Sequence, residues 1–375
     1  MENCTSILRY WEELDPNRFD LIDSNPMFYC NGPILTFVIS FGIVGNIICI
    51  IVFVRTNRWP KLNCYLLTLA VWDIILITSS FFLYNLPVLL YDEVLNHGNH
   101  VLAYPFLYSA SNMAHSASIW AVLAMSIERY YAICHPLRHR ILNDRVWYVT
   151  VVLVSVLAII LGLPRYFEMR LGQCRNQTSG VSVPVVTSSS LQLNTTYRLL
   201  YKIIGDIVFY SVGPFFLLIF IALQISKHMN NYKMVQESLR LTLGPHRSHY
   251  TGVSALQRKK IQRNIDFLLL AMIIKFLACH SLPTVLDLYE IVTPAEVFAS
   301  KTVSYLVDTS NFLVMVNSSC NVLIYLSCSP SFRRRFFPYR LRRRTAQKFQ
   351  CLRYCLVKVG QQPRTNGETY DSLHG

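Results

Sequence analysis

The sequence predicts an all-α membrane protein: a bundle of seven transmembrane helices followed by a short amphipathic eighth. Three observations carry that expectation. The chain has 375 residues, of which 53% are hydrophobic and only 15% charged, where a soluble chain is nearer a quarter charged. Apolar stretches lie at about 34–55, 63–90, 101–133, 146–166, 201–226, 262–289 and 300–326, each close to the roughly 20 residues that a bilayer requires. They are too long for barrel strands and lack two-residue alternation, so they read as helices. The net charge of +14 is gathered in alternate loops beside those stretches, which excludes a nucleic-acid surface as its reason.

The loop charges set the expected orientation. Arg55, Arg58 and Lys61 follow the first span, and Arg138, Arg140 and Arg145 follow the third. Lys227, Lys233, Arg240, Arg258, Lys259, Lys260 and Arg263 follow the fifth, and a dense run from Arg333 to Arg344 follows the seventh. The loop at 91–100 carries Asp92 and Glu93 and no Lys or Arg. The positive-inside rule then expects the N-terminus outside and the C-terminus in the cytoplasm of a multi-pass membrane protein. The expected parts are an extracellular segment at 1–33, the membrane domain at 34–326 and a cytoplasmic helix and tail at 327–375. The first 33 residues lack a basic-then-apolar signal pattern, so the first span is expected to act as a signal-anchor. Asn3, Asn176 and Asn194 open glycosylation triplets on the expected outside, while the triplet at Asn317 lies in a span.

Taken in order, span one holds Gly42-Ile43-Val44-Gly45-Asn46, small residues that allow close helix packing next to an amide that needs a partner in lipid. Span two holds Asp73, a costly acid at membrane depth and by default a functional one, and Pro87, a kink source. Span three ends in Ser126-Ile127-Glu128-Arg129-Tyr130-Tyr131-Ala132-Ile133-Cys134-His135-Pro136-Leu137, an ion pair expected at a water-facing edge. Span four closes with Leu163-Pro164-Arg165-Tyr166-Phe167-Glu168, and the segment at 167–200 is rich in Ser and Thr. Gly213-Pro214 breaks span five. Span six carries Lys275, too deep to snorkel easily, which reads either as a partner approaching Asp73 or as a lysine shielded by carbonyls at a bend. Beyond span seven, Phe332-Arg333-Arg334-Arg335-Phe336-Phe337 mixes aromatics with arginines as an interfacial helix does, and Cys351 and Cys355 are candidates for acylation.

The close of span three resembles the Glu/Asp-Arg-Tyr signature of rhodopsin-like G protein-coupled receptors, including Ala132, Cys134, Pro136 and Leu137. Span seven, from Asn317 to Tyr325, resembles their Asn-Pro-x-x-Tyr motif with Val322 in place of proline. Leu163 to Glu168, Ala114 to Trp120 and Leu288-Tyr289-Glu290 resemble invertebrate receptors for FMRFamide-like neuropeptides. The resemblance implies a glycosylated cell-membrane receptor for an extracellular amidated peptide, a heterotrimeric G protein and arrestin as partners, and no enzymatic activity. It assigns Glu128, Arg129, Tyr130, Asn321 and Tyr325 to activation and G protein coupling. It assigns Asp73, Ser118, Asn317 and Asn321 to a pocket that can hold a sodium ion; beyond that ion no cofactor is expected.

Departures narrow the expectations. Ser111 stands eighteen residues before Arg129, where amine receptors carry an aspartate, and Met315 stands where an opsin carries its lysine. Tyr104 stands where most relatives have a cysteine bridged to the second outer loop, leaving Cys174 to pair with Cys4 or Cys30; a Cys30–Cys174 bridge is the expectation. Span six reads Cys279-His280-Ser281-Leu282-Pro283, without the family's tryptophan, and Arg263 lies where the family has an acid. That leaves Glu128 to hold Arg129 and predicts ligand-independent signalling. For a ligand ending in Arg-Phe-amide, the acids at the outer mouth are Glu168, Asp287, Glu290 and Asp308, with Glu290 and Asp287 favoured because they are one turn apart. Tyr108, Phe209 and Tyr305 are the expected aromatic wall, in a site among spans three, five, six and seven. The competing classes are a receptor for another ligand or one active without any, and a transporter, which would show internal repeats. An intramembrane enzyme would need a constellation that His115 and His280, read as single histidines, do not supply.

Overall fold

The computed structural model describes residues 30–55, 61–89, 99–141, 144–175, 182–243, 253–292 and 301–337. Helix α1 (Leu35–Val54) is entered by a π-helical turn at Cys30–Ile34. Helix α2 (Lys61–Ser80) runs on through a π-helical turn, Phe81–Asn85, into Leu86–Leu89. Then come α3 (Asn99–Cys134), α4 (Asp144–Gly162), α5 (Val212–Leu243) and α6 (Val253–Val292). Helices α7 (Lys301–Ser319) and α8 (Asn321–Cys328) meet at Cys320 with a bend of 41° and together make the seventh span.

Among the described residues, Gly32–Val54, Leu62–Asn85, Arg145–Phe167, Thr195–Asn231 and Arg263–Tyr289 are long and apolar enough to cross a bilayer, and the bent pair α7–α8 makes a sixth such span. Helix α3 is the exception in composition and not in length, with 36 residues. Its position explains the difference. It packs against α2, α4, α5 and α6, and Ser109, Ser111, Ser116, Ser118 and Ser126 are buried along it. A helix wrapped by protein needs no apolar coat. Its hydroxyls bond the turn before, Ser116 Oγ to Asn112 O at 2.6 Å and Ser126 Oγ to Val122 O at 2.7 Å. Helix α4 is the opposite case. Val149, Val152, Leu153, Val156, Leu157 and Ile160 form an exposed apolar stripe, the face that a helix turns to lipid.

Small residues set the approach of α1 to α8, as the sequence implies. A β-carbon on Gly45 would lie 2.8 Å from Val322 Cγ1, so only glycine lets the two backbones come this close. Leu35, Ile39, Leu76, Ile77, Ala114, Val314 and Met315 form a core cluster that ties α1, α2, α3 and α7.

The Ser/Thr-rich segment at 167–200 has more order than its composition implies. Strands β1 (Met169–Arg175) and β2 (Ser182–Ser188) pair antiparallel, with Cys174 opposite Val183 and Met169 opposite Ser188. Val183, Val185, Val186 and Thr187 are β-branched and favour the extended form. Ser189 then caps a short helix by accepting from Leu191 N at 3.2 Å. A π-helical stretch, Arg198–Tyr210, leads into α5 and stops at Ser211, two residues before the expected break at Gly213-Pro214.

The chain divides into two units between Ser329 and Pro330. In the second, helix α9 (Pro330–Phe336) stacks Phe332 on Phe336 at 6.3 Å and leaves Arg333, Arg334 and Arg335 exposed, an amphipathic pattern.

Candidate functional site

Three polar clusters interrupt the apolar bundle. The first closes α3. Arg129 Nε donates to Glu128 Oε2 at 2.5 Å and Nη2 donates to Glu128 Oε1 at 3.1 Å, a forked pair of the strong kind. Glu128 is 0% and Arg129 8% exposed, so the pair is more buried than the expected water-facing edge. A third member went unnoticed in the sequence. His139, on the short helix Pro136–Ile141, donates from Nε2 to Glu128 Oε1 at 3.0 Å and lies against the Trp147 indole at 5.3 Å. Pro136 suits the first position of this helix, and His135-Pro136 after the apolar span is the sequence signal for the turn that precedes His139. Tyr130 packs on His135 and Phe220 at 5.8 and 6.4 Å. Arg263 is exposed, while Asp266, one turn further along α6, is buried.

The second cluster lies at mid-bundle. Asp73, 1% exposed, accepts from Ser118 Oγ at 3.0 Å and from Asn321 Nδ2 at 2.6 Å. Asn46 Nδ2 reaches Ser318 O at 3.1 Å. Two of the three residues expected around Asp73 thus meet it there. Asn317 differs: its backbone carbonyl, and not its side chain, takes part, accepting from Lys275 Nζ at 2.6 Å. Lys275 also donates to Asn321 Oδ1 at 2.5 Å, so it approaches Asp73 through Asn321. Tyr325 is buried edge-on against Phe53 at 5.5 Å.

The third is a cavity of about 450 Å³ at the end of the bundle opposite Arg129. Tyr84 from α2, Tyr108, Asn112 and His115 from α3, and Asp308, Asn311 and Phe312 from α7 line it. It lies among α1, α2, α3 and α7, whereas the sequence reading placed a site among spans three, five, six and seven. Tyr108 lines it. Tyr305 does not and is 45% exposed, and Phe209 tilts against Trp120 at 6.3 Å instead. Glu168 is corrected most plainly. It is 0% exposed and accepts from Tyr197 OH at 2.9 Å, because the chain folds back over it between β2 and α5. Beside it, Arg165 Nη2 donates to Asp206 Oδ1 at 2.5 Å, an ion pair missed in the sequence. Asp287 is half-buried on α6 and does not line this cavity. The side chains of Glu290, Cys30 and Cys174, and all of Asn3 and Asn176, lie outside the described residues. Asn194 is exposed and caps a helical turn, accepting from Tyr197 N at 3.1 Å.

His115 and His280, treated singly above, meet. Their Nε2 atoms are 3.2 Å apart at the cavity floor, and His280 Nδ1 lies 3.2 Å from Phe276 O. Both stand among other polar residues, Asn112 and Ser116 beside His115 and Ser281 beside His280, so neither stretch by itself marks the pair.

A seven-helix bundle with a buried acid–arginine pair at one end, a multi-helix carboxylate network at its centre and a cavity at the other end defines a membrane receptor. The chain belongs to the rhodopsin family of 7 transmembrane receptors, whose family model matches residues 45–325. It is a multi-pass membrane receptor and not an enzyme. It is 27% identical over 336 residues to the FMRFamide receptor of Drosophila melanogaster, covering 87% of this chain and 57% of that protein. To the probable G-protein coupled receptor frpr-1 of Caenorhabditis elegans it is 25% identical over 321 residues, 81% of this chain and 76% of that one. To the neuromedin U receptor homolog nmur-2 of the same worm it is 25% identical over 329 residues, 80% and 76% of the two chains. The chain thus spans just over half the length of the Drosophila relative.

Proposed function

We propose that the protein is a plasma-membrane receptor for an extracellular, amidated, FMRFamide-like neuropeptide and that it activates a heterotrimeric G protein. The observation that carries this reading is Asp308 in the cavity wall, among Tyr84, Tyr108 and Phe312. A peptide ending in Arg-Phe-amide brings a guanidinium, a ring and a terminal amide, and the cavity offers an acid, aromatic faces and the amides of Asn112 and Asn311. Its volume of about 450 Å³ suits the end of a peptide rather than the whole of one. The FMRFamide receptor among the relatives supports the same ligand class. The basic loops support an orientation with the Arg129 end in the cytoplasm and the cavity outside.

Ligand in the cavity favours one of two helix packings, and only a difference in affinity between them moves the balance. The end of α6 near Arg263 swings outward, Arg129 leaves Glu128, and the cleft accepts the tail helix of a G protein α subunit. Arrestin docks on the same face afterwards. The test is nucleotide exchange on purified G protein with the receptor in lipid nanodiscs. An Arg-Phe-amide peptide accelerates exchange, and its free-acid form does so at least tenfold less potently. A panel of amidated peptides that all leave exchange unchanged refutes the ligand class. An N-terminal tag that stains only permeabilised cells refutes the orientation.

A further inference from the structure

The seventh span bends by 41° between α7 and α8 without a proline, since Val322 stands at that place. Cys320 leaves the helix at φ −87° and ψ 4°. Two side chains from other helices enter the turn at the break. Asn46 of α1 donates to Ser318 O at 3.1 Å, and Lys275 of α6 donates to Asn317 O at 2.6 Å. Side-chain donors inserted into a helix ladder are a recognised source of kinks.

Lys275 is also one end of a charge chain. Its Nζ donates to Asn321 Oδ1 at 2.5 Å, and Asn321 Nδ2 donates to Asp73 Oδ2 at 2.6 Å. Charge fixes the direction of that amide. Turned over, it would set its NH₂ against an ammonium and its oxygen against a carboxylate. A sodium ion would have to compete with Lys275 for this donor set. Both Asp73 oxygens already accept hydrogen bonds, one from Ser118 and one from Asn321. Of the neutral oxygens that a hard cation takes as ligands, Asn321 Oδ1 and Asn317 O are held by Lys275, while the buried Asn317 Oδ1 and Ser318 Oγ carry no hydrogen-bond partner, so the lysine's charge and not a want of oxygens decides against the ion. A second cation there would also face the ammonium's repulsion across a poorly screened interior.

We infer that Lys275 is a built-in cation: it occupies the electrostatic place of a diffusible sodium ion at Asp73 and, through Asn317 O, holds the bend of the seventh span. The sodium response of the family's pocket is thereby replaced by a tether between α6 and α7, whatever the ligand.

The test needs no ligand. Purified full-length receptor in nanodiscs is melted in sodium chloride and in choline chloride at equal ionic strength. The wild type shows no difference between the two salts. Lys275→Met, which frees the oxygens and keeps a similar length, becomes selectively stabilised by sodium, and Lys275→Met/Asp73→Asn loses that response. A sodium-specific rise in the melting temperature of the wild type overturns the inference, as does a folded Lys275→Met that treats the salts alike. Should Lys275→Met not fold, Lys275→Arg carries the test: it is expected to be folded and blind to sodium, and sodium-specific stabilisation of it overturns the proposal.

Discussion

His115 and His280 meet tip to tip. The 3.2 Å between Nε2 atoms and the 5.5 Å between ring centres fit two imidazoles pointing at each other, with planes only 21° apart. Their protons can be placed. His280 Nδ1 faces the Phe276 carbonyl, which only accepts, so Nδ1 carries hydrogen and Nε2 receives the bond from His115 Nε2–H. His115 lines the cavity and His280 belongs to α6, so this one bond joins the ligand-facing wall to the helix expected to move.

His280→Leu is therefore expected to lower the maximal response to an Arg-Phe-amide peptide while leaving its affinity within about threefold, since it removes less than the ~1 kcal/mol of a neutral hydrogen bond from binding. Radioligand competition and nucleotide exchange on the same membranes separate the two. A variant that keeps full response, or one whose loss is all in affinity, removes the relay.

Asp308 is expected to behave the other way. Hydrogen bonds to a charged group are worth about 1.5–3 kcal/mol, which is roughly ten- to a hundredfold in affinity. Asp308→Asn should weaken an Arg-Phe-amide peptide by that factor and leave its maximal response intact. A peptide with citrulline for arginine should bind the wild type and Asp308→Asn equally. If citrulline and arginine peptides are both weakened to the same extent, Asp308 is not the partner of the guanidinium.

Both residues bear on what was legible beforehand. Charge in an apolar stretch is visible in a sequence because its cost is so high, which is how Asp73, Glu128, Arg129 and Lys275 stand out, and Asp73 does meet Ser118 and Asn321. The cavity was not visible in the same way. Tyr84, Asn112 and Asn311 are ordinary residues in their own helices, and the space between them depends on how far α1, α2 and α7 stand apart, which no local pattern records. Glu168 illustrates the same limit: acidic and next to a loop, it reads as exposed, and only the strands and turns that follow bury it. The third span is less apolar than its stretch of sequence suggests, because its partners, not its own residues, decide what it can carry.

Glu128 holds Arg129 by two bonds and is itself held by His139. Glu128→Gln removes the charge and keeps the shape. The arginine is then free to adopt the G protein-facing position, and ligand-independent nucleotide exchange should rise about fivefold, the low end of conformational couplings of ~1 kcal/mol. His139→Ala should raise it less, because one of three bonds to the acid is lost. Thermal stability should fall in both, more for Glu128→Gln, which leaves a buried guanidinium without its counter-charge. Basal exchange in Glu128→Gln equal to the wild type would falsify the latch.

Val322→Pro returns the residue that the family motif carries. In a helix interior a proline costs about 3 kcal/mol, because it deletes a backbone bond and crowds the carbonyl four residues back. Here Val322 is the second residue of α8, and the carbonyl four back, Ser318 O, already accepts from Asn46. The first N–H groups of a helix have no partner within it, so proline is tolerated in this turn. The change should cost only what is lost in packing against Gly45, about 1 kcal/mol. In Lys275→Met the same substitution should be stabilising, because the proline then supplies the bend that the lysine no longer holds, so the two changes are expected to be non-additive by ~1 kcal/mol or more. Thermal unfolding of the four receptors, wild type, each single variant and the double, closes this cycle; strict additivity would mean that Lys275 and residue 322 shape the seventh span independently.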